Sequence, residues 1–244
     1  MPLQLHRARV SAVRTLTHDV RDIVFELIDP KEMVFKPGQF VSFEVPHPTS
    51  KLPATRPYSI ASPPSRRGAV TLLLNLVPEG PGSTYLFSLK AGDETQFKGP
   101  AGAFYLKEAD QRDLLFVATG TGIAPFRSML AHLFENGFSR TVTLYWGLRS
   151  QRDLYYQDEL NALAAEHPNF SFVTTLSRPE PGWTGVSGRV TKLIEERITS
   201  VSQLAVYLCG NSAMIGEVTA LIGKKGLCPI HKEKWYDDTG DGEP

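Results

Sequence analysis

The sequence predicts an all-β domain followed by an α/β domain. Its 244 residues exceed the usual single-domain size of about 100–200 residues, so two domains are expected. Early in the chain, short β-branched and aromatic runs alternate with turn-rich segments such as KPGQF and PPSRRG, which is typical of a sandwich or barrel. After the charged stretch Lys107–Arg112, apolar strands and helices alternate, which indicates βαβ units around a parallel sheet.

The first domain is predicted to contain one helix among its strands. Gly82, Ser83 and Thr84 suit a helix N-terminus, and Gly92 follows the end of the same segment, so a helix is expected over Ser83–Leu89. Short runs of β-branched and aromatic residues predict the strands of this domain. These strands are predicted at Val10–Leu16, Ile23–Ile28, Phe40–Val45, Ser59–Ala61 and Val70–Val77.

The second domain is predicted as four strand–helix pairs and an acidic, turn-rich end. The end, DDTGDGEP, is expected to be a solvated tail. The predicted strands are Leu114–Ala118, Thr141–Trp146, Phe170–Thr175 and Leu204–Cys209. The predicted helices are Ala124–Phe134, Tyr156–Ala165, Val190–Arg197 and Met214–Ile222.

Composition disfavours several classes of protein. No run approaches the ~20 apolar residues that span a bilayer, and MPLQLHRARV lacks the apolar core of a signal peptide. Lys+Arg and Asp+Glu balance at 26 each, so neither nucleic acid nor a charged membrane surface is expected as a partner. Cys209 and Cys228 are too few for an iron–sulfur cluster and fit a reducing cytoplasm. The six histidines are scattered, so no metal site is predicted.

Three predicted strands of the second domain end in glycine-bearing segments: TGTGIAP, GLR and CGN. Open α/β sheets bind ligands beyond the carboxyl ends of their strands, and helix N-termini favour anions, so an anionic ligand is expected there. The first segment has Pro125 at the third glycine position of GxGxxG, and no acid follows the second strand, so an ordinary Rossmann fingerprint is a poor match. A purely structural turn is the alternative for each segment.

The first domain has two candidate binding segments of its own, Arg56–Ser59 and Gly82–Thr84. An arginine fork suits phosphate oxygens, and a helix start with hydroxyls suits a second phosphate. Tyr58 can lie on a planar heterocycle, and Ser59 can donate to a ring nitrogen. Together these groups fit a flat ring joined to a pyrophosphate. The alternative is an ordinary strand with a surface arginine and a half-buried tyrosine.

The ordered set of motifs resembles the ferredoxin–NADP reductase family over almost the whole chain. RPYSIAS is similar to the family's flavin motif, Gly82–Thr84 falls at its second pyrophosphate site, and Gly99–Phe104 is similar to the loop that closes its barrel. ATGTGIAPF, YWGLRSQRDLYYQDEL and LCGNSAM are similar to its coenzyme-binding segments. Asn211-Ser212 departs from the pattern, because the family often has a proline after CGx.

This resemblance implies an antiparallel six-stranded FAD-binding barrel over 1–108 and a five-stranded parallel NAD(P)-binding sheet over 109–244. It places Arg56 at the FAD pyrophosphate, Tyr58 on the isoalloxazine and Ser59 near flavin N5. The implied cofactor-binding set is completed by Pro57, Asn75, Leu76, Val77, Gly82, Ser83, Thr84, Thr119, Gly120, Thr121, Gly122 and Gly210.

The reaction implied by the resemblance is hydride transfer from nicotinamide C4 to flavin N5, which requires no proton shuttle from a side chain. Ser59, Cys209 and Glu233 are the implied catalytic residues, the last two beside the nicotinamide. Cys209 can equally be a small buried core residue. Trp235, in HKEKWYDD, is implied to stack on the flavin; the alternative is a final strand with aromatics at its edge. Thr239–Pro244 departs from relatives that end on the aromatic.

Coenzyme preference is predicted from positive charge. Arg149, Ser177-Arg178 and Arg189 are expected to bind the 2′-phosphate of NADPH, because guanidinium groups grip phosphate oxygens and no acid after the second strand repels them. NADH is the alternative coenzyme, in which case Arg178 and Arg189 are solvated surface charges.

The predicted function is an FAD-dependent reductase that passes electrons from NADPH to a ferredoxin, a flavodoxin or an oxygenase component. The acceptor is expected to be a separate protein, because no CxxxxCxxC motif is present. The alternatives are an NADH-dependent reductase component of a multicomponent oxygenase and a flavin-binding module without turnover. A short-chain dehydrogenase would need a YxxxK pair, which is not found. A cytoplasmic monomer is expected.

Overall fold

The structure, a computed structural model, describes residues 3–46 and 53–234. These residues divide into two compact units. One unit comprises residues 3–106 and 124–135, and the other comprises 107–123 and 136–234. No helix in the described ranges is both long enough and apolar enough to cross a lipid bilayer.

The first unit is a six-stranded antiparallel sheet with the strand order β4-β3-β6-β1-β2-β5. Ile60, just after β4, pairs with Leu72 of β5, so the two edge strands of the sheet are joined there and the predicted barrel is confirmed. Helix α1, Pro81–Ser88, lies between β5 and β6 in the chain. The strands are β1 Gln4–Thr15, β2 Val20–Asp29, β3 Phe40–Val45, β4 Ala54–Ser59, β5 Ala69–Asn75 and β6 Glu94–Ala101.

Aromatic rings fill the interior of this sheet. Phe25, Phe43 and Phe97 are at most 1% exposed, and their ring centroids lie 5.3–5.9 Å apart. Each ring contributes about 1.5–3 kcal/mol by leaving water. Along β1, buried His6 and Ala8 alternate with exposed residues, which is the two-residue period of a strand with one face in the core.

Two predictions for this unit were inaccurate, and one strand was not predicted. The predicted strand Ser59–Ala61 overlaps β4 only at Ser59, because β4 lies earlier in the chain and includes Pro57. An edge strand tolerates a proline, whose missing N–H removes no hydrogen bond from the middle of a sheet. The runs of β-branched and aromatic residues did not predict strand β6. The first three residues of Gly99–Phe104, which was predicted as the loop that closes the barrel, belong to that strand.

The second unit is a parallel sheet with the strand order β10-β9-β8-β7-β11-β12. The fold class is as predicted, but the sheet has six strands where five were expected. The additional strand β10 is only two residues long, too short for any hydrophobic period, and pairs with the end of β9. The strands are β7 Asp113–Thr119, β8 Val142–Leu148, β9 Phe170–Leu176, β10 Val186–Ser187, β11 Leu204–Gly210 and β12 Ile230–Lys234.

Helices follow four of these strands. Helices α4 and α5 pack on one face of the sheet, where Leu193 and Val218 join a buried cluster with Val117 and Leu208. Most of α2 groups with the first unit, where Ser128 Oγ donates to the Ser62 carbonyl at 2.7 Å. The helices are α2 Ile123–Glu135, α3 Gln157–Glu166, α4 Val190–Arg197 and α5 Ser212–Lys225.

The strand order places a topological switch point between β7 and β11. From β7 the chain proceeds through β8 and β9 to one edge and then returns to β11 on the other side of β7. Open α/β sheets bind ligands in the crevice at the carboxyl ends of the two strands flanking such a point. The fold therefore directs attention to the residues that follow Thr119 and Cys209.

Candidate functional site

The first unit brings its two predicted binding segments together. Gly82, in the first turn of α1, lies so close to β4 that a Cβ there would be 2.5 Å from Tyr58 Oη and 2.8 Å from Arg56 Cγ. These three residues are named the flavin cradle, after the role that the family resemblance implies for them. Only glycine leaves room at this position, so the backbone of the helix start lies directly beside the aliphatic stem of Arg56 and the phenol of Tyr58.

The turn before α1 is held by Ser83. Its Oγ accepts from the Val77 N–H at 3.1 Å and lies 3.2 Å from the carbonyl oxygens of Val77 and Gly80. The hydroxyl is thus engaged with the backbone, and the turn carries Asn75–Val77 to the start of the helix. Because the first amides of a helix have no partner within it, Gly82 and Ser83 provide backbone donors for an anion.

The flavin cradle fits a flat ring joined to a pyrophosphate. The Tyr58 ring is half-buried and packs edge-on against Phe43, with centroids 5.9 Å apart and an interplanar angle of 77°. No acidic residue occupies the first turn of α1, and Glu79, just before its N-cap, is exposed. Arg56, the helix amides and Tyr58 are the groups that would hold FAD. Ser59 ends β4 one residue beyond Tyr58.

The second unit brings two backbone segments together at the switch point. Gly120–Gly122 forms a 3₁₀ turn after β7, and a Cβ on Gly122 would collide with the carbonyl group of Cys209, 2.8 Å from its carbon. Gly210 has a φ of +151°, and a side chain there would cover Thr119 Oγ1. The segments Thr119–Gly122 and Cys209–Asn211 are named the coenzyme crevice. It comprises two of the three glycine-bearing strand ends predicted to bind an anion.

Cys209 and Glu233, the two residues predicted beside the nicotinamide, lie on neighbouring strands. They are register partners of β11 and β12, and Cys209 also pairs with Ala118 of β7. Cys209 is 0% exposed, whereas Glu233 is half-buried. The structure therefore brings the pair together while keeping the thiol within the core of the sheet.

The predicted phosphate-binding arginines also share one edge of the sheet. The Arg178 N–H donates to the Arg149 carbonyl at 2.8 Å, so the segments after β8 and β9 run side by side. The Gly188 N–H donates to the Leu176 carbonyl at 2.8 Å, which brings Arg189 at the start of α4 to the same edge. All three side chains are exposed, and Arg189 lies 3.8 Å from Glu217. Arg149, Arg178 and Arg189 are named the arginine rim.

Sequence reasoning missed two contacts that hold the coenzyme crevice in place. Trp146, 0% exposed, donates from Nε1 to the Gly120 carbonyl at 2.9 Å and fixes the glycine turn from β8. Asn211 links β11 to Thr119 through its side chain. The sequence alone does not indicate which carbonyl group a tryptophan in a strand will bind. Asn211 was included in the glycine-bearing segment CGN and noted as a departure from the family pattern, but its link to Thr119 was not predicted. The prediction for Trp235, and that for the tail after it, lie outside the described residues.

Comparison with known proteins connects this geometry to a family. The sequence matches the oxidoreductase FAD-binding domain over residues 7–105 and the oxidoreductase NAD-binding domain over 116–220. It is 36% identical over 231 residues to ferredoxin–NADP reductase B of Sorangium cellulosum, covering 92% of this chain and 94% of that protein. The chain belongs to the ferredoxin–NADP reductase family. It is therefore an oxidoreductase that uses FAD and a nicotinamide coenzyme, as the sequence predicted.

Other members of the ferredoxin–NADP reductase family are longer than this chain. The reductase component of the naphthalene 1,2-dioxygenase/salicylate 5-hydroxylase systems of Ralstonia sp is 33% identical over 238 residues, which are 96% of this chain and 70% of that protein. The crystal structure of the Amycolatopsis cytochrome P450 reductase GcoB matches with a TM-score of 0.85 and 30% identity, over 96% of this chain and 70% of that one. The chain also spans 66% of the toluate 1,2-dioxygenase electron transfer component of Pseudomonas putida.

Proposed function

We propose that this protein takes electrons from NADPH through bound FAD and passes them to a separate one-electron carrier, a ferredoxin or a flavodoxin. The observation that carries the proposal is that one chain contains both a flavin cradle and a glycine-built coenzyme crevice. FAD supplies the ability to accept two electrons together and release them singly. The protein's contribution is to bind and orient the two cofactors, since a near-attack geometry can replace a large entropic barrier.

Each predicted residue has a proposed role in this scheme. Arg56 and the amides of Gly82 and Ser83 hold the FAD pyrophosphate, while Tyr58 supports the ring and Ser59 donates near its reactive nitrogen. In the crevice, Thr119–Gly122 and Gly210 admit the coenzyme to close backbone contact. Cys209 and Glu233 line the nicotinamide position. These roles, together with the division into a flavin domain over 1–108 and a coenzyme domain over 109–244, are proposals.

The arginine rim supports NADPH as the coenzyme. A 2′-phosphate requires fixed positive charge, and guanidinium groups can grip two of its oxygens. Arg149 and Arg178 make no ion pair with any residue in 3–46 or 53–234, so both charges are available to a ligand. Ser177 adds a hydroxyl donor beside Arg178.

A second candidate function is the NADH-dependent reductase component of a multicomponent oxygenase. The observation that favours it is the identity of several relatives, among them the Ralstonia and toluate proteins whose names describe oxygenase electron transfer. In that case the acceptor is an oxygenase-associated protein and the arginine rim does not bind phosphate. We further propose a cytoplasmic monomer, which size-exclusion chromatography of the purified protein tests for its oligomeric state.

The test combines cofactor identity with coenzyme choice. The purified protein should be yellow, and mass spectrometry of the released cofactor should identify FAD. Steady-state reduction of a ferredoxin and of a flavodoxin should give a higher kcat/KM with NADPH than with NADH. A preference for NADH, with oxygenase components as the only acceptors, would support the second candidate. FAD bound without any coenzyme oxidation would indicate a binding module.

A further inference from the structure

Thr119 and Asn211 form a cross-link between the two strands that flank the switch point. Thr119 ends β7, and Asn211 follows β11, 92 residues later in the chain. The backbone N–H and the side-chain Nδ2 of Asn211 both donate to Thr119 Oγ1, each at 3.3 Å. Both residues are half-buried at the mouth of the coenzyme crevice.

The orientation of the Asn211 amide follows from its third hydrogen bond. Its Oδ1 accepts from the Met214 N–H at 2.8 Å, which caps the start of α5. A backbone N–H is only a donor, so the atom beside it must be the amide oxygen. The NH₂ group is therefore the part of Asn211 that is turned toward Thr119.

This arrangement fixes the direction of the Thr119 hydroxyl. A hydroxyl oxygen has two acceptor positions and one proton. Asn211 occupies both acceptor positions, so Thr119 can act toward any further partner only as a donor. Across the ranges 3–46 and 53–234, nothing accepts this proton. Gly210 keeps the space beside Oγ1 open, because a side chain there would collide with it.

We infer that Asn211 is a positioning residue that makes Thr119 an obligatory hydrogen-bond donor to an oxygen in the pyrophosphate–nicotinamide half of the coenzyme. The inference rests on the proposed function, in which the arginine rim holds the 2′-phosphate at the ends of β8 and β9. Neighbouring strands lie about 4.8 Å apart, so Thr119, between β8 and β11, is about one to two strands from that rim. A coenzyme anchored at the rim by its adenosine end reaches Thr119 with its other half.

Helix capping alone does not account for the cross-link. A cap requires one side-chain oxygen that accepts from the helix start, and Asp and Ser provide it as well as Asn does. Neither Asp nor Ser has an NH₂ group to donate to Thr119. Asn211→Ser therefore retains a cap without changing the charge but removes the Nδ2 donor. In Asn211→Asp, the carboxylate can accept the Thr119 proton and so compete with the coenzyme for it.

The test is equilibrium binding of NADP⁺ to the FAD-loaded enzyme, followed by the change in flavin absorbance. Loss of one oriented hydrogen bond should weaken binding about 3- to 10-fold in N211S and in T119V. N211D should be weaker than N211S. T119S retains the hydroxyl and should bind nearly as tightly as the unmodified protein. Thermal melting of every variant checks that the fold is retained.

A double-mutant cycle separates positioning from general structural support. If Asn211 acts through the Thr119 hydroxyl, N211S should cost nothing further in the T119V background, because the hydroxyl it orients is already absent. Independent, additive losses in the double variant would overturn the inference.

Truncated ligands locate the acceptor. Binding of 2′,5′-ADP, which lacks the distal phosphate and the nicotinamide, should be equal in the unmodified protein, N211S and T119V. If 2′-phospho-ADP-ribose weakens with NADP⁺, the acceptor is an oxygen of the distal phosphate or of the ribose attached to it; if NADP⁺ alone weakens, it is the carboxamide oxygen. An equal loss for 2′,5′-ADP would contradict the inference while leaving the proposed function intact. Failure of the unmodified protein to bind NADP⁺ would instead contradict the proposed function.

Discussion

The flavin cradle and the coenzyme crevice, the two sites proposed to bind phosphate-bearing ligands, are built in different ways. In the cradle, two half-buried side chains, Arg56 and Tyr58, close on one glycine at a helix start. In the crevice, Gly122 packs on a backbone carbonyl, while the arginine rim remains exposed. Exposed charges are screened by water and salt, whereas half-buried contacts are screened less. Under the proposed function, this difference predicts that the first unit retains FAD while the second exchanges its coenzyme.

The largest effect is expected from Gly122→Ala. The added methyl would collide with the Cys209 carbonyl group, and a backbone atom within β11 has little freedom to move. Overpacking of about 3 kcal/mol corresponds to roughly 100-fold weaker coenzyme binding. NADP⁺ titration of the FAD-loaded variant measures this, and FAD content should not change. Gly216→Ala, in α5 with open space around the added methyl, is the matched control. Loss of both ligands together would contradict the separation of the two sites.

Gly82→Ala tests the cradle in the same way. The methyl would lie 2.5 Å from Tyr58 Oη and 2.8 Å from Arg56 Cγ, so these side chains must move out of position. Because side chains yield more easily than backbone, a cost of about 1–3 kcal/mol is expected, or about 5- to 150-fold weaker FAD binding. Equilibrium dialysis against FAD measures it.

The control for Gly82→Ala is Gly68→Ala in the same unit, where the nearest neighbour of the added methyl is the Lys31 carbonyl oxygen at 3.8 Å. This variant should retain FAD. Equal FAD affinity in both variants would mean that the cradle does not hold the cofactor.

The sequence specifies both sites only in part. Their residues were identified because each lies in a short contiguous motif at a strand end or helix start. The contacts between these residues were not predicted, because the partners are far apart in the sequence. Gly82 and Tyr58 are separated by 24 residues, and Thr119 and Asn211 by 92 residues. Local patterns report which residues suit a ligand, and only the fold determines which of them meet.

The same limit applies to the secondary structure. Phe40–Val45 and Val190–Arg197 were predicted with the observed bounds, because their apolar periods are strong. The first residues of β1 were missed, since an inward-facing histidine interrupts the apolar alternation. Strand β12, Ile230–Lys234, is mostly charged and was considered only as an alternative for the end of the chain.

An intermediate effect is expected at the arginine rim. Arg178→Ala removes a charge-assisted contact worth about 1.5–3 kcal/mol, so kcat/KM for NADPH should fall at least about tenfold. The value for NADH should change little, because NADH lacks the 2′-phosphate. The control is Arg66→Ala, which removes an exposed arginine from the first unit. It should leave kcat/KM for both coenzymes unchanged. An equal loss with both coenzymes would show that Arg178 does not distinguish them.

The smallest effect concerns the core of the first unit and its pH dependence. His6 is 0% exposed and stacks on Phe97, and this burial lowers the pKa of His6 below its ordinary value of 6.5. The unfolded chain therefore binds a proton more readily than the folded one, so the free energy of unfolding should fall as pH drops below about 6.5. The slope contributed by one such group is at most about 1.4 kcal/mol per pH unit.

Urea unfolding of the unmodified protein and of His6→Phe at pH 7, 6 and 5 measures this contribution. The phenylalanine variant should show a shallower loss of stability with acid, since other titrating groups are common to both proteins. Identical slopes would show that the histidine is not desolvated. Because His6 lies in the first unit, His6→Phe should leave the affinity for NADP⁺ at pH 6 unchanged.

The central claim is that the chain transfers electrons from a nicotinamide coenzyme to its own bound flavin. Anaerobic stopped-flow mixing of the FAD-loaded protein with NADPH tests this most directly, with the flavin absorbance near 450 nm as the signal. The account predicts rapid bleaching in a single turnover, faster with NADPH than with NADH, and recovery of the colour when oxidised ferredoxin is added. A flavin that stays oxidised with both coenzymes would contradict it.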